Sequence, residues 1–323
     1  QMRVVQRNFN NHWGNQAPWR DRNGNEIPNF IEDIAKRTIH YKLLQEKYPD
    51  RPDSINYYLN KPHRLKVFDY DRGSRDTTIS TMDSIRYMER YMHCGFVAME
   101  PQTGYVKAWV GDINFGAWKY DKVLSKRQPG STFKLFVYAA GFNKGMSPCD
   151  LRVDQYKAWD VMEKGKPAKW IPRNADGSYT GDTLSLKAAF ARSINSIAVQ
   201  VGQEVGVHDV AQTAYAMGIK TPLEETPALS LGASDVSLLE LVNSYTTVVN
   251  DGKEHDPILV TKIEDSEGHV IYEDKSQQKQ VIPYETAFLM TEMLKAGLTE
   301  PMGTSQALWG YDLFHSDTEF GGK

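Results

Sequence analysis

Ser131 and Lys134 stand three residues apart in the stretch Arg127-Gln128-Pro129-Gly130-Ser131-Thr132-Phe133-Lys134. A serine hydroxyl is a weak nucleophile until a base removes its proton, and a neutral lysine amine can be that base. The Pro-Gly pair ends whatever precedes it. The apolar run Leu135-Phe136-Val137-Tyr138-Ala139-Ala140 then reads as a buried helix. Ser131 is expected in the first turn and Lys134 one turn on, with Cβ atoms roughly 5–6 Å apart. The helix N-terminus favours the negative charge that develops. To work near neutrality, the amine must fall about three pH units from a reference near 10.4. That requires about 4 kcal/mol of differential environment, which only burial or nearby positive charge supplies.

The spacing alone is weak, since S-x-x-K occurs by chance about once in a chain of this size. A second copy, Ser276-Gln277-Gln278-Lys279, lies in a polar run with nothing to desolvate the lysine, and reads as a solvated turn. Downstream, Ser193-Ile194-Asn195 joins two apolar helical patterns, Leu184 to Arg192 and Ser196 to Val205. A hydroxyl and an amide on such a junction can point together into a cleft. The same tripeptide at Ser54-Ile55-Asn56 sits among Pro, Asp and Tyr residues and reads as a turn. At the far end, Phe320-Gly321-Gly322-Lys323 places two glycines before a lysine, which suits a strand packed closely beside a site.

In this order the three elements resemble the S-x-x-K, S-x-N and K-T-G signature of penicillin-recognising serine acyltransferases. Trp170-Ile171-Pro172-Arg173-Asn174-Ala175-Asp176-Gly177-Ser178-Tyr179-Thr180-Gly181 is similar to the W-x-P-x-N-x-x-G-x-Y-x-G segment of class A penicillin-binding proteins. So are Arg127-Gln128-Pro129-Gly130 and Leu229-Ser230-Leu231-Gly232-Ala233-Ser234-Asp235-Val236, followed by Leu239-Glu240-Leu241. The resemblance runs over residues 65–323. It implies a D,D-transpeptidase acting on peptidoglycan stem peptides that end in D-Ala-D-Ala, with β-lactams as inhibitors. It assigns Ser131 as nucleophile, Lys134 as base, Ser193 as proton relay to the leaving amine, Asn195 as ligand of the substrate amide that also helps fix Lys134, and Lys323 as holder of the hydrogen-bond network and the substrate carboxylate. It implies no metal or organic cofactor. Two other readings share the three motifs: a serine β-lactamase, and a β-lactam sensor that acylates without turnover. No segment resembles the loop that supplies a β-lactamase with its deacylating base.

The resemblance also departs from the family. The last motif should continue as Thr-Gly-Thr, so the chain is expected to be C-terminally incomplete. Class A relatives carry a glycosyltransferase domain and a membrane anchor upstream. The expected location is therefore the outer, periplasmic face of the bacterial cytoplasmic membrane, with other cell-wall synthesis proteins as possible partners. No apolar run approaches 18 residues, and no signal peptide is recognisable.

Composition fits a globular piece. Its 323 residues leave room for a large core, and a net charge of −3 gives no footprint for nucleic acid. Two cysteines, Cys94 and Cys149, are read as unlinked, and the eight histidines show no metal-ligand spacing.

The elements that must position these residues follow from pattern. Residues 1–64 form a linker or pedestal, with Trp13 and Trp19 as apolar anchors and helical spacing from Ile31 to Tyr48. Residues 65–323 form the transpeptidase-like domain. Phe96-Val97-Ala98-Met99 and Tyr105 to Val110 read as a hairpin, and Ile258 to Glu273 as another. Helices are expected from Ser131, Leu184, Ser196, Val207, Ser237 and Tyr284, with Ser237 and Glu240 at capping-box spacing. A strand is expected near Phe320. Strands at both ends with helices between give an α+β class, an antiparallel sheet packed between helices.

Overall fold

A computed structural model describes residues 2–13, 17–21, 23–163, 165–275, 277–311, 313 and 318–323. The chain divides into two compact units. One holds the described residues up to Gly95 together with Gly111–Asp121, and the other holds Phe96–Val110 and Lys122–Lys323.

The first unit contains α1 (Met2–Trp13), α2 (Phe30–Arg37), α3 (Ile39–Lys47), α4 (Pro52–Asn60), the hairpin β1 (His63–Asp69) and β2 (Gly73–Ile79), and α5 (Thr81–Glu89). The helical spacing from Ile31 to Tyr48 resolves into two helices because Thr38 intervenes. Its hydroxyl donates to Ala35 O at 2.7 Å and accepts from Tyr41 N at 3.2 Å, so it closes α2 and caps α3. Ser54-Ile55-Asn56 is not a turn. It lies in α4, which Pro52 opens and whose Ile55 and Leu59 are buried. Those two side chains join Trp19, Ile31, Ala35, Leu44, Met82 and Ile85 in one core. Met82 and Ile85 belong to α5, so the unit runs on to Gly95 instead of stopping at residue 64. Trp13's side chain lies outside the described residues. Cys94 and Cys149 are free thiols, the first half-buried and the second exposed.

The second unit opens with the hairpin β3 (Phe96–Met99) and β4 (Val106–Val110), which carries a bulge between Ala98 and Met99. β5 (Lys126–Arg127) leads through a 3₁₀ turn, Gly130–Phe133, into α6 (Lys134–Asn143). β6 (Leu151–Val153), β7 (Trp159–Glu163), β8 (Lys166–Trp170) and β9 (Thr183–Ser185) precede α7 (Leu186–Ala191), α8 (Asn195–Val205) and α9 (Val207–Ala216). A 3₁₀ turn at Pro227–Leu231, β10 (Val236–Ser237), α10 (Leu238–Val249), β11 (Lys253–Glu254), β12 (Lys262–Glu264), β13 (Val270–Glu273), β14 (Lys279–Gln280) and α11 (Tyr284–Thr299) complete the order. The expected capping box is formed: Ser237 Oγ accepts from Glu240 N while the Glu240 carboxylate accepts from Ser237 N.

The class is α+β. Among the described residues the strands form seven two-stranded antiparallel pairs instead of one wide sheet. The strand expected near Phe320 does not form; residues 319–323 carry no ladder pairing. The core centres on α6, which packs against α8, α9 and α11. Its apolar run is buried throughout, and each large side chain contributes about 1.5–3 kcal/mol by leaving water.

Candidate active site

α6 is the helix expected after Pro129-Gly130, but it begins one turn late. Ser131 lies in the 3₁₀ turn and Lys134 is the first residue of α6. In 3₁₀ geometry residues i and i+3 eclipse, so the turn sets Ser131 and Lys134 in line. The Lys134 N–H closes the turn on the carbonyls of Ser131 and Thr132. The turn is held from several sides. Thr132 Oγ1 donates to Pro129 O at 2.7 Å, and Tyr245 Oη of α10 donates to Thr132 O at 3.0 Å. Gln128 Nε2 donates to Ala233 O at 2.9 Å, beside the β5–β10 pairing.

Ser131 is exposed, whereas Lys134 has no solvent-accessible surface. Its Nζ donates to Asn195 Oδ1 at 2.6 Å and Ser193 O at 2.7 Å, with Ser193 Oγ at 3.1 Å. Burial first, and the Lys323 charge second, push the amine down to about 6. A neutral amine has two N–H donors and one lone pair. The two acceptor-only oxygens use the donors, which leaves the lone pair for a hydroxyl proton. Among the described residues no hydrogen bond joins Lys134 to the Ser131 side chain.

Ser193 sits in the left-handed region at φ 59. It ends α7: its N–H donates to Phe190 O and the Ile194 N–H donates to Ala189 O, both at 3.0 Å. This is the Schellman arrangement, in which glycine normally occupies the position of Ser193. The turn aims both the carbonyl and the hydroxyl of Ser193 at Lys134.

Asn195 opens α8. Its Nδ2 donates to Arg173 O at 2.8 Å, which fixes the amide so that Oδ1 faces Lys134. Its backbone N–H donates to Asn174 Oδ1 at 2.9 Å.

Lys323 Nζ donates to Phe190 O and lies over the Phe190 ring, 4.4 Å from the centroid. Burial pushes this amine down to about 7. Its segment is fixed by Gly322 N–H donating to Leu294 O at 3.0 Å. Gly321 lies so near α11 that a Cβ would stand 3.1 Å from the Leu294 carbonyl carbon.

The fold thus gathers Lys134, Ser193, Asn195 and Lys323 around the end of α7, with Ser131 exposed at the preceding turn. Ser276, the serine of the second S-x-x-K copy, lies outside the described residues. Sequence reading missed Asp154, Asn174, Phe190 and Tyr245 as parts of this setting. Asn174 stands in the quoted W-x-P-x-N segment, a signal that was available. Asp154 had none. Among the described residues no group of three or more His, Cys, Asp or Glu side chains could hold a metal ion.

The sequence profile of the penicillin binding protein transpeptidase domain matches residues 94–314. The chain belongs to that family. The profile of the penicillin-binding protein middle domain matches residues 14–92, ahead of the transpeptidase domain. Penicillin-binding protein 2D of Bacillus subtilis is 29% identical over 266 residues, which are 82% of this chain and 37% of that protein. Penicillin-binding protein 1A of Aquifex aeolicus is 31% identical over 276 residues, 85% of this chain and 35% of that one. The chain therefore spans little more than a third of these relatives. In fold, the transpeptidase chain is similar to crystalline penicillin-binding protein 1A from Haemophilus influenzae. The TM-score is 0.62 at 20% identity, covering 91% of this chain and 51% of that one. It is also similar to PonA1 from Mycobacterium tuberculosis in complex with penicillin V, with a TM-score of 0.53 at 18% identity, covering 82% and 70%.

Proposed function

We propose that this domain is a serine D,D-transpeptidase that cross-links peptidoglycan. Ser131 Oγ attacks the carbonyl of the penultimate D-alanine of a stem peptide. Lys134 takes the serine proton, and Ser193 relays a proton to the departing D-alanine amine. The acyl group on Ser131 then passes to an amine of a neighbouring stem, which re-forms the free serine. Asn195 holds Lys134 and binds the substrate amide, and Lys323 meets the substrate carboxylate. β-Lactams acylate Ser131 because their strained amide resembles the scissile bond. The carrying observation is the fully buried Lys134 amine, depressed to about 6 and held by Ser193 and Asn195 one turn from an exposed serine. A base poised near working pH is what general-base catalysis requires.

In the parent protein this chemistry would take place at the outer face of the cytoplasmic membrane. No helix among the described residues is long and apolar enough to cross a membrane; anchoring is proposed from the class A resemblance alone.

The test is covalent labelling of the full-length protein by a fluorescent penicillin. Ser131→Ala should abolish the label and Ser276→Ala should leave it unchanged. Retained labelling in Ser131→Ala would overturn the assignment. Rapid loss of the penicilloyl adduct would favour a β-lactamase. Labelling without turnover of a D-Ala-D-Ala thioester would favour a sensor.

A further inference from the structure

α8 begins without a cap of its own. The residue before it, Ile194, has no side-chain oxygen to offer the free N–H groups of the first turn. Asn174, upstream in the β8–β9 connection, supplies that oxygen: Oδ1 accepts from Asn195 N at 2.9 Å and Ser196 N at 3.2 Å. The other side of the amide fixes its direction, since Nδ2 donates to Asp154 Oδ1 and Ser178 O, each at 2.9 Å.

Asp154 is fully buried. Besides Asn174 it accepts from Ser196 Oγ at 2.5 Å, and from Thr180 N at 3.0 Å and Thr180 Oγ1 at 3.2 Å. Burial alone would raise this carboxyl, but the donors from Ser196, Thr180 and Asn174 outweigh it and hold it below its ordinary value. The result is a buried anion beside the start of α8, the end of a helix that favours negative charge. Two of its donors, Asn174 and Ser196, are the same residues that define the first turn of that helix.

We propose that Asp154 and Asn174 are positioning residues for acylation: they cap α8 from outside and thereby set where Asn195 presents its Oδ1 to Lys134. The proposal rests on the reading of Ser131 and Lys134 as nucleophile and base. Asn195 has two anchors besides Lys134, the Arg173 carbonyl and the Asn174 oxygen. Removing the second frays the turn that carries it. Lys134 then keeps only Ser193, and the amine is free to leave the line to Ser131. A displacement of about 1 Å at a reacting group can cost about a hundredfold in rate.

The experiment measures second-order acylation by a fluorescent penicillin, alongside thermal unfolding, in the full-length protein. Asp154→Asn keeps the shape but puts an NH2 group where an oxygen accepted, so it faces either the Asn174 and Ser196 donors or the Thr180 donors. It should acylate about 10- to 100-fold more slowly. In an Asn195→Ala background the same change should cost little further acylation while still lowering the Tm, because it acts through Asn195. Asn174→Ala should slow acylation similarly, and combining it with Asp154→Asn should cost little more, because both act along one path. A wild-type rate in Asp154→Asn, multiplying losses in the double variant, or an undiminished further loss in the Asn195→Ala background would each overturn the proposal. Should Asp154→Asn fail to fold, Asn174→Ala decides: a wild-type acylation rate, or an undiminished further loss in the Asn195→Ala background, refutes the proposal. Persistent labelling in Ser131→Ala would instead remove the underlying mechanism. A normal Asp154→Asn rate with the label still on Ser131 removes only the positioning role.

Discussion

Gly232 and Gly130 press backbone against backbone: a Cβ on Gly232 would stand 2.3 Å from the Gly130 carbonyl oxygen. The Gly130 N–H in turn donates to Gly232 O at 3.4 Å. Gly130 directly precedes Ser131, so whatever displaces it displaces the proposed nucleophile. Gly232 is also left-handed at φ 72. Gly232→Ala is expected to lower the Tm by about 5–10 °C, from about 1 kcal/mol of backbone strain plus the clash. It should also slow acylation. Gly268→Ala is the control: it shares the positive φ but meets nothing within 4 Å. It should cost only the strain and leave acylation unchanged. Equal acylation in both variants would refute the argument.

Ser193 holds a position that suits glycine better. Ser193→Gly should relieve about 1 kcal/mol of left-handed strain and raise the Tm slightly. It should also lower penicillin acylation and thioester turnover, because the hydroxyl beside Lys134 is gone. A variant that is both less stable and fully active would contradict this account of the turn.

Lys134→Arg keeps a positive charge that cannot be given up at working pH. Acylation should fall at least about a hundredfold, the usual scale for losing a general base. Asn195→Ala should cost less, since it orients and does not react. Rapid-mixing measurements with a chromogenic cephalosporin would separate the two, and a wild-type rate for Lys134→Arg would exclude the lysine as base.

The pH dependence has a definite sign. Lys134 must be neutral to accept a proton, so acylation should rise as pH climbs through about 6. Stability should move in the same direction. The unfolded chain keeps this proton up to the ordinary 10.5 and the folded one sheds it near 6. Between those values the unfolded state binds more protons, so folding is favoured as pH rises. Thermal unfolding at pH 6 and pH 9 should show a rise in Tm that shrinks in Lys134→Met. An identical rise in both would sink the claim.

Much of this architecture was legible because its signals are local. Pro129-Gly130 before an apolar run announced α6, and Ser237 with Glu240 announced the start of α10. The fixing of Lys134 by Asn195 came through the motif resemblance, not through any pattern within α6; the contact of Lys134 with Ser193 did not. The misreadings also have local causes. Ser54-Ile55-Asn56 looked like a turn by composition, yet Pro52 is at home in the first turn of a helix, and buried Ile55 and Leu59 hold that helix in place. Two glycines suggested a strand at Phe320, but a glycine pair equally serves a peptide lying against α11. Asp154 was invisible because its role comes from donors 20, 26 and 42 residues away, and no periodicity encodes such a meeting.

The clamp on the Ser131 turn is built from distant chain. Gln128 reaches Ala233 across 105 residues, and Tyr245 reaches Thr132 across 113. On a ribosome adding 5–20 residues per second, the proposed nucleophile is made roughly 5–20 s before the residues that brace it. Closing so long a loop costs chain entropy that only the completed helices around α6 offset. The serine would therefore be chemically present long before it is competent, and a penicillin label would count finished molecules and pass over nascent ones.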